Sequence, residues 1–466
     1  MSIQMKKYLL TFLSSLALLT ASGAPFEVDG ISYNVISSSP ARCEVVSLSS
    51  DAELSDLAIP STVISGGITY SVYAIGEYAF AGNSRLQSVS IPESVETIGR
   101  NAFQSCGSIT SVIFPSTVKE IGTQTFYECS SLENFKGKGV VSIADNAFSG
   151  CASLSKLELS PALGFIGRGA FSGCTSLVYM NLPEGLEMSS GVFSGCASLE
   201  SVSLPSSLRV IPEHTFNGCR SLRVVNGVSG ITEVGDYAFY TCSSLSAIGF
   251  GDSLHKIGRS AFGFCSDLDI SRIEGNGLVI GSFAFSGCES LQDVEFIGVE
   301  EIGEEAFAND DALKTISFDS GIRYIRERAF RNSDNILGIA CMAVQPPFMA
   351  NNSFDQTVYD KAVVTVPFGR SLLYKQTPPW GYFWDIEEAE DTGIEDKPMD
   401  EIAFNVAYEG GTLRVTGCEG LLNVADIAGR IIMSERKGSE DFSFRLPTPG
   451  VYVVTLGGHT EKIICN

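Results

Sequence analysis

Apolar residues recur along this chain with a period of 22 or 23 residues, and polar residues fill most of the positions between them. A phenylalanine marks each of twelve copies of the pattern. An isoleucine, valine or methionine stands five residues before each phenylalanine, and a leucine or isoleucine stands six residues after it. The marker residues are Phe80, Phe103, Phe126, Phe148, Phe171, Phe193, Phe216, Phe239, Phe262, Phe285, Phe307 and Phe330.

The second half of each copy alternates between apolar and polar positions. Apolar side chains usually stand nine and eleven residues after the phenylalanine, as Val202 and Leu204 do. This alternation is typical of a half-buried strand. A proline such as Pro205 often follows and ends the strand, because proline has no ladder N–H. The Ile-Gly pair predicts a second short extended segment, and A-F-x-x-C predicts a tight helical turn that points the phenylalanine inward.

A segment of this length cannot bury its apolar side chains alone, whereas stacked copies bury them in continuous columns. The pattern therefore predicts a β-rich solenoid with a parallel sheet, made of twelve repeats over residues 69–341. A solenoid needs covered ends. We expect residues 24–68 to form the N-terminal cap and residues 342–386, which contain both tryptophans, to form the C-terminal cap.

The ends of the chain have a different character from the repeats. Residues 1–23 combine Lys6 and Lys7, an apolar stretch and a small-residue cleavage site, which predicts an export signal peptide. No other segment is long and apolar enough to predict a transmembrane segment. Residues 387–401 are rich in acids and predict a solvated linker, whereas residues 402–466 contain alternating runs that predict a small β-sandwich.

A cysteine stands three residues after the phenylalanine in nine repeats. Exported proteins usually oxidise cysteine, so a disulfide ladder is one interpretation. However, equivalent side chains of stacked strands point the same way, while a disulfide needs converging Cβ atoms. We therefore favour buried free thiols. These cysteines are Cys106, Cys129, Cys151, Cys174, Cys196, Cys219, Cys242, Cys265 and Cys288.

The net charge and the sequence motifs argue against several classes of function. The formal net charge of −23 argues against nucleic acid as a partner, because phosphate binding needs clustered Lys and Arg. We find no metalloprotease, nucleophile-elbow, Walker or EF-hand spacing, and the chain has only three His. We therefore expect no enzyme, no cofactor and no metal. The acidic run at residues 300–305 could hold calcium, but it is also compatible with a solvated face.

The remaining candidate is a binding surface. Residues eight and ten positions after each phenylalanine face outward if the strand alternation holds. Repeat proteins present such sheets as extended recognition surfaces. We predict a partner-binding patch centred on Tyr179, since Tyr, Asn and Arg suit contact sites. Its residues are Lys156, Glu158, Tyr179, Asn181, Ser201, Ser203, Asn226 and Arg272.

The repeat I-G-x-x-A-F-x-x-C-x-x-L resembles that of BspA-like bacterial leucine-rich repeat surface proteins. The resemblance covers about residues 69–341, and the segments VDGISYNV and VTVP in the predicted caps are also similar to that family. It implies a right-handed leucine-rich repeat stack at the cell surface. It also implies adhesion to proteins or glycans of host or neighbouring cells. An architectural surface protein without a dedicated ligand is the alternative.

The C-terminal segment resembles the sorting domain of type IX secretion substrates. The matching stretches are VADIAGR at residues 424–430, LPTPGVYVV at 446–454 and KII at 462–464. The Pro-Asn-Pro segment that usually opens such a tail is absent. The resemblance implies that the tail engages the secretion machinery and that the protein is extracellular or attached to the outer-membrane surface.

Overall fold

The computed structural model of the chain describes residues 25–49 and 55–390, together with the strands of the C-terminal region at 405–409, 412–416, 420–426, 431–437, 442–446, 450–456 and 459–465. The chain divides into two compact units, residues 1–389 and 390–466. The predicted signal peptide at 1–23 lies outside the described residues, as does most of the predicted linker at 387–401.

Six strands precede the first marker phenylalanine: β1 (Phe26–Val28), β2 (Ile31–Ser38), β3 (Ala41–Leu48), β4 (Asp56–Ala58), β5 (Thr62–Ser65) and β6 (Ile68–Ile75). β1, β2 and β3 form an antiparallel meander, and β5 pairs antiparallel with β6. β3 and β6 are parallel, so this meander passes directly into the solenoid. The N-terminal segment therefore supplies both a covering sheet and the first strands of the parallel ladders.

Each repeat typically contributes a strand after its recurring leucine and a two-residue strand that ends at its recurring isoleucine, valine or methionine. In chain order these strands are β7 (Ser88–Ser90), β8 (Thr97–Ile98), β9 (Ser111–Ile113), β10 (Glu120–Ile121), β11 (Asn134–Gly137), β12 (Ser142–Ile143), β13 (Lys156–Leu159), β14 (Phe165–Ile166), β15 (Tyr179–Asn181), β16 (Glu187–Met188), β17 (Ser201–Ser203), β18 (Val210–Ile211), β19 (Val224–Asn226), β20 (Glu233–Val234), β21 (Lys256–Ile257), β22 (Arg272–Ile280), β23 (Asp293–Ile302), β24 (Thr315–Phe318), β25 (Tyr324–Ile325), β26 (Gly338–Cys341) and β27 (Phe348–Met349).

Parallel ladders continue beyond the last marker phenylalanine. β28 (Val363–Val366) pairs with β26, and β29 (Asp385–Glu388) pairs with β28. Two short helices, α1 (Gln356–Lys361) and α2 (Ser371–Gln376), and a 3₁₀ turn at Trp380–Tyr382 lie between these strands. The predicted solenoid is confirmed, and it has about 14 turns rather than the twelve that the phenylalanine pattern marks.

The strands after the recurring leucine build what we call the main sheet. It consists of three runs, β4-β7-β9-β11-β13, then β15-β17-β19, then β22-β23-β24-β26-β28-β29. The two-residue strands build a second sheet, and the long strands β22 and β23 belong to both. Every pairing within the main sheet is parallel and advances by one repeat, as Val202 opposite Val225 shows.

The backbone around each phenylalanine is not the helical turn that the sequence predicts. Residues two before and two after every marker phenylalanine have positive φ, such as His214 at 55° and Gly218 at 78° around Phe216. Left-handed residues interrupt the regular helical hydrogen-bond pattern. Alternate N–H groups bond to the next repeat, as that of Phe216 does to the carbonyl oxygen of Ala238 at 2.7 Å, while others bond three residues back, as that of Cys219 does to the carbonyl oxygen of Phe216 at 3.0 Å. The turns around the phenylalanines thus form a third ladder of hydrogen bonds between repeats, beside those of the two sets of strands.

The phenylalanines form one continuous stack inside the solenoid. Consecutive rings lie 4.8–5.7 Å apart between centroids and within 23° of parallel, from Phe80 to Phe330 and on to Phe354. All thirteen are buried, which confirms the predicted inward column. Each such ring contributes about 1.5–3 kcal/mol through burial.

The cysteine column is buried beside the rings. All eleven cysteines whose side chains are described are free thiols, as we predicted for the nine in the column. Each column thiol donates to the carbonyl oxygen of the preceding repeat's phenylalanine, with Sγ to O distances of 3.0–3.3 Å. The thiol column therefore satisfies a carbonyl group in each turn that water cannot reach.

The C-terminal unit contains two antiparallel sheets. The first is β30 (Asn405–Glu409), β31 (Thr412–Thr416) and β34 (Phe442–Arg445), in the order β30-β31-β34. The second is β32 (Gly420–Asp426), β33 (Ile431–Lys437), β35 (Gly450–Leu456) and β36 (His459–Cys465), in the order β33-β32-β35-β36. Buried residues of both sheets, including Leu413 and Val424, share one apolar core, as expected for a small sandwich.

Candidate binding surface

The middle run of the main sheet brings most of the predicted patch together. Register places Tyr179, Ser201 and Val224 in one row across β15, β17 and β19, and it places Asn181, Ser203 and Asn226 in the next row. The side chain of Tyr179 is 74% exposed, whereas Met180 beside it is buried in the core. The alternation that the sequence predicts thus presents a tyrosine on β15, next to Ser201 and to the polar row that begins with Asn181.

Lys156 and Glu158 lie on β13, which belongs to the first run and does not pair with β15. The carboxylate of Glu158 accepts a charged hydrogen bond from Nζ of Lys136 of the preceding repeat at 2.8 Å. This hydrogen bond lowers the pKa of the Glu158 carboxyl group. Glu158 is therefore committed to a neighbour on the same face, while Lys156 remains exposed.

Arg272 is separated from the other candidates by a whole turn of the solenoid. It lies at the start of β22, and its Nε pairs with Glu274 at 2.8 Å. Between β19 and β22 the main sheet is interrupted, because residues 245–250 form no strand. The structure therefore does not bring Arg272 into the row of Tyr179.

The interruption contains a cleft that the sequence analysis missed. Its volume is about 220 Å³, and it is lined by Ile248, Gly249, Phe250, Leu254, Ile257, Phe262, Ile270, Arg272, Ile273, Glu274 and Phe285. The position nine residues after Phe262, which is buried and apolar in most repeats, holds Ser271, and this serine is exposed. That single departure from the pattern is the sequence signal for the cleft.

The acidic run at residues 300–305 is largely paired with arginines of the next repeat. Both Nε and an Nη of Arg326 donate to the carboxylate of Glu301, at 2.8 and 2.9 Å. Arg328 and Arg331 both approach Glu305. Within the part of the chain that the structure describes, no group of three or more His, Cys, Asp or Glu could hold a metal ion. These pairs support the interpretation of a solvated, salt-bridged face.

A family model for the BspA-type leucine-rich repeat region matches the chain in overlapping stretches at residues 61–178, 141–269 and 225–337, which together exceed half of its length. The chain belongs to the BspA-type leucine-rich repeat family. The predicted resemblance over the repeats is therefore confirmed, whereas the resemblance of the tail to a sorting domain stays a prediction. None of the curated proteins matches the chain.

Solved structures of bacterial leucine-rich repeat proteins share this fold. A leucine-rich repeat protein from Bacteroides ovatus is 28% identical, covering 74% of this chain and 88% of that one, with a TM-score of 0.66. The pneumococcal vaccine antigen PcpA is 19% identical, covering 80% of this chain and 100% of that one, with a TM-score of 0.50. A leucine-rich cell surface protein from Faecalibacterium prausnitzii is 20% identical, covering 80% and 97%, with a TM-score of 0.42.

The BspA-type solenoid presents rows of side chains on a rigid backbone, and this arrangement suits recognition of other proteins. Leucine-rich repeat solenoids are typically non-catalytic. Among the described residues, no helix has the length and apolar character needed to cross a membrane.

Proposed function

We propose that this protein is an exported recognition and adhesion protein that binds proteins or glycans of host or neighbouring cells through its main sheet. The observation that carries the proposal is the exposure of Tyr179 on the first strand of a regular three-strand array. A tyrosine held on a strand loses little conformational freedom on binding, so it can serve as an anchor with polar side chains around it. Asn181, Ser203 and Asn226 supply those polar groups.

Export is supported by the signal-peptide pattern of residues 1–23 and by the surface location of the BspA-like proteins that the repeats resemble. We further propose that the C-terminal unit directs passage through the outer membrane by way of the secretion machinery. Deletion of residues 402–466 should then leave the protein inside the cell envelope. Its appearance in the medium at the wild-type level would contradict this part of the proposal.

The binding proposal is tested with the variant Tyr179→Ala in an assay of cell or matrix-protein binding. Loss of an anchor of this type weakens binding by about thirtyfold or more. Tyr324→Ala is the matched control, because Tyr324 is also partly exposed but lies on the second sheet. Equal binding by the wild type and both variants would contradict a role for the Tyr179 surface.

An architectural surface protein without a dedicated ligand is the second candidate. It is favoured by the two small serine side chains that occupy the outward positions of β7, which offer few contacts to a partner. Deletion of residues 69–341 separates the two functions. Reduced adhesion supports recognition, while unchanged adhesion with altered surface assembly supports architecture.

A further inference from the structure

The cleft between β19 and β22 opens the apolar core of the solenoid. Leu254, Ile257 and Phe262 line its base and are buried, whereas Ile248 and Ile270 at its sides remain partly exposed. Apolar surface left accessible in a concavity of this kind favours an apolar ligand.

The size of the cleft sets the size of that ligand. A closed cavity of about 150 Å³ lined by Leu, Ile and Phe binds benzene. The cleft here measures about 220 Å³ and is lined mostly by the same residue types, with Gly249, Arg272 and Glu274 besides. It therefore has room for a phenyl ring and for the methylene group that would attach the ring to a peptide.

The backbone at the cleft is also open to a polypeptide. Within residues 55–390, the main-chain N–H and C=O groups of residues 247–250 make no main-chain hydrogen bond. Corresponding residues in β17 and β19 are paired in the ladder. An extended peptide that crosses the cleft carries its own N–H and C=O groups, which can bond such unpaired groups while a side chain enters the pocket.

The charges around the mouth favour a basic segment. Asp269, Asp293 and Glu295 are exposed there, and Glu295 lies opposite Arg272 in the ladder. Arg272 is paired with Glu274, and these two charges cancel, so the mouth keeps the formal negative charges of the three acids. The net charge of −23 acts in the same direction at longer range.

We propose that the cleft lined by Ile248, Gly249 and Ile270 binds an aromatic side chain carried by an extended, basic segment of a protein partner. This inference rests on the proposed function in that it assigns the main sheet to partner recognition. It differs in place and in chemistry, because the cleft lies beyond the strand array of Tyr179 and accepts a ring into the core.

The probes are the peptide acetyl-Lys-Thr-Phe-Thr-Lys-amide, the same peptide with alanine in place of phenylalanine, and benzene alone. Binding is followed on the full-length protein by NMR of isoleucine methyl groups, since Ile248, Ile270 and Ile273 all line the cleft. We expect the phenylalanine peptide to shift these methyl signals and to bind at least about tenfold more tightly than the alanine peptide.

Gly249→Leu provides a blocking variant. An added Cβ at Gly249 meets no atom within 4 Å, and its φ is not positive, so a side chain fits at the mouth without strain. It should weaken the phenylalanine peptide to the level of the alanine peptide. Ser90→Leu is the matched control, because Ser90 is exposed on β7 of the same face and far along the sheet; it should leave binding unchanged.

Several outcomes overturn the inference. The proposal is wrong if the two peptides bind with equal affinity or if neither binds at millimolar concentration. It is also wrong if benzene binds but the phenylalanine peptide is not preferred over the alanine peptide. It is wrong as well if Gly249→Leu does not weaken binding of the phenylalanine peptide. If binding is lost instead in Tyr179→Ala, the cleft is excluded while the function proposed for the main sheet stands. If Gly249→Leu does not melt like the wild type, the methyl shifts decide, and shifts away from the cleft overturn the proposal.

Discussion

Replacing Asp310 with asparagine is expected to stabilise the repeat unit increasingly as the pH rises. Asp310 occupies the cysteine position of the eleventh repeat and is fully buried. Its Oδ1 accepts the N–H of Cys288 at 2.7 Å, and its own N–H donates to Oγ of Ser333 at 3.1 Å. Its Oδ2 is buried without a hydrogen-bond partner.

The neighbouring repeats show what this position requires. Sγ of Cys288 donates to the carbonyl of Phe262, and Oγ of Ser333 donates to the carbonyl of Phe307. An ionised carboxylate has no proton to donate, whereas a protonated one does. Burial raises the pKa of Asp310 well above its usual value, and the charges of Asp311 and Glu289 act in the same direction. The folded protein therefore retains a proton that the unfolded chain releases.

The sign and size of the effect follow from this difference in proton binding. A group whose pKa is raised on folding gives its full contribution to stability below the unfolded pKa, about 3.9 for Asp. That contribution falls by about 1.4 kcal/mol per pH unit until the folded pKa is reached. Asparagine is neutral throughout and offers an N–H₂ group where Oδ2 has no partner. The stability gained by Asp310→Asn should therefore grow with that slope from about pH 4 upward and level off at the folded pKa.

Urea unfolding of the wild type and of Asp310→Asn between pH 4.5 and 8 measures this difference. The only two tryptophans, Trp380 and Trp384, belong to the repeat unit, so their fluorescence reports its unfolding. Other titrating groups are common to both proteins and cancel in the comparison. Asp311→Asn is the control, because Asp311 is exposed and should give no comparable slope. Parallel stability curves for the wild type and Asp310→Asn would refute the reasoning.

Three further predictions follow from the core and the turns. Phe216→Ala should cost about 3–5 kcal/mol through the cavity it leaves in the ring stack, and a variant that unfolds at the wild-type urea concentration would contradict this. A thiol reagent at pH 8 should not modify the column cysteines of the native protein, since burial raises their pKa, to about 12 for Cys106. After denaturation at least eleven thiols should react, and a smaller number would indicate disulfides. Gly139→Ala should lower the melting temperature, because its Cβ would clash with the carbonyl oxygen of Ser116, whereas Gly249→Ala should change stability by less than about 0.5 kcal/mol.

The solenoid could be predicted because its core depends on sequence positions alone. Three apolar columns keep register through every copy, and stacking is the arrangement that buries all of them. The ladder beyond residue 341 was harder to predict, since α1 and α2 separate its strands and change the spacing. The inward position of Phe354 extends the stack 24 residues after Phe330, a longer interval than in the repeats.

The turn conformation could not be predicted from composition. The residue two positions before the phenylalanine has positive φ in every marker repeat, yet only Gly169 and Gly191 among these positions are glycine. Tyr237 and Phe283 adopt the same conformation, which ordinarily disfavours a side chain. Hydrogen bonds to the adjacent repeats fix these residues, so the conformation is a property of the stack and not of the local sequence.

The candidate surface was partly predictable for a related reason. Strand alternation is enough to place Tyr179 and Asn226 outward. It does not show that Lys136 takes up the carboxylate of Glu158, or that an interruption separates Arg272, because both depend on contacts between repeats. Ser271 was visible in the sequence, but the consequence of a missing core side chain depends on how its neighbours pack.

The repetition of the scaffold also indicates where specificity must lie. Identical turns present equivalent backbone at every step, so a partner cannot choose one register along the sheet from the scaffold alone. A unique position requires a departure from the repeat. Tyr179 is such a departure, because the equivalent outward positions on β7, β9, β11, β13, β17 and β19 hold no other aromatic side chain. The cleft beside Ser271 is another, since there the core itself opens. Two departures separated along one face can fix both the position and the direction of a bound segment, which neither could do alone.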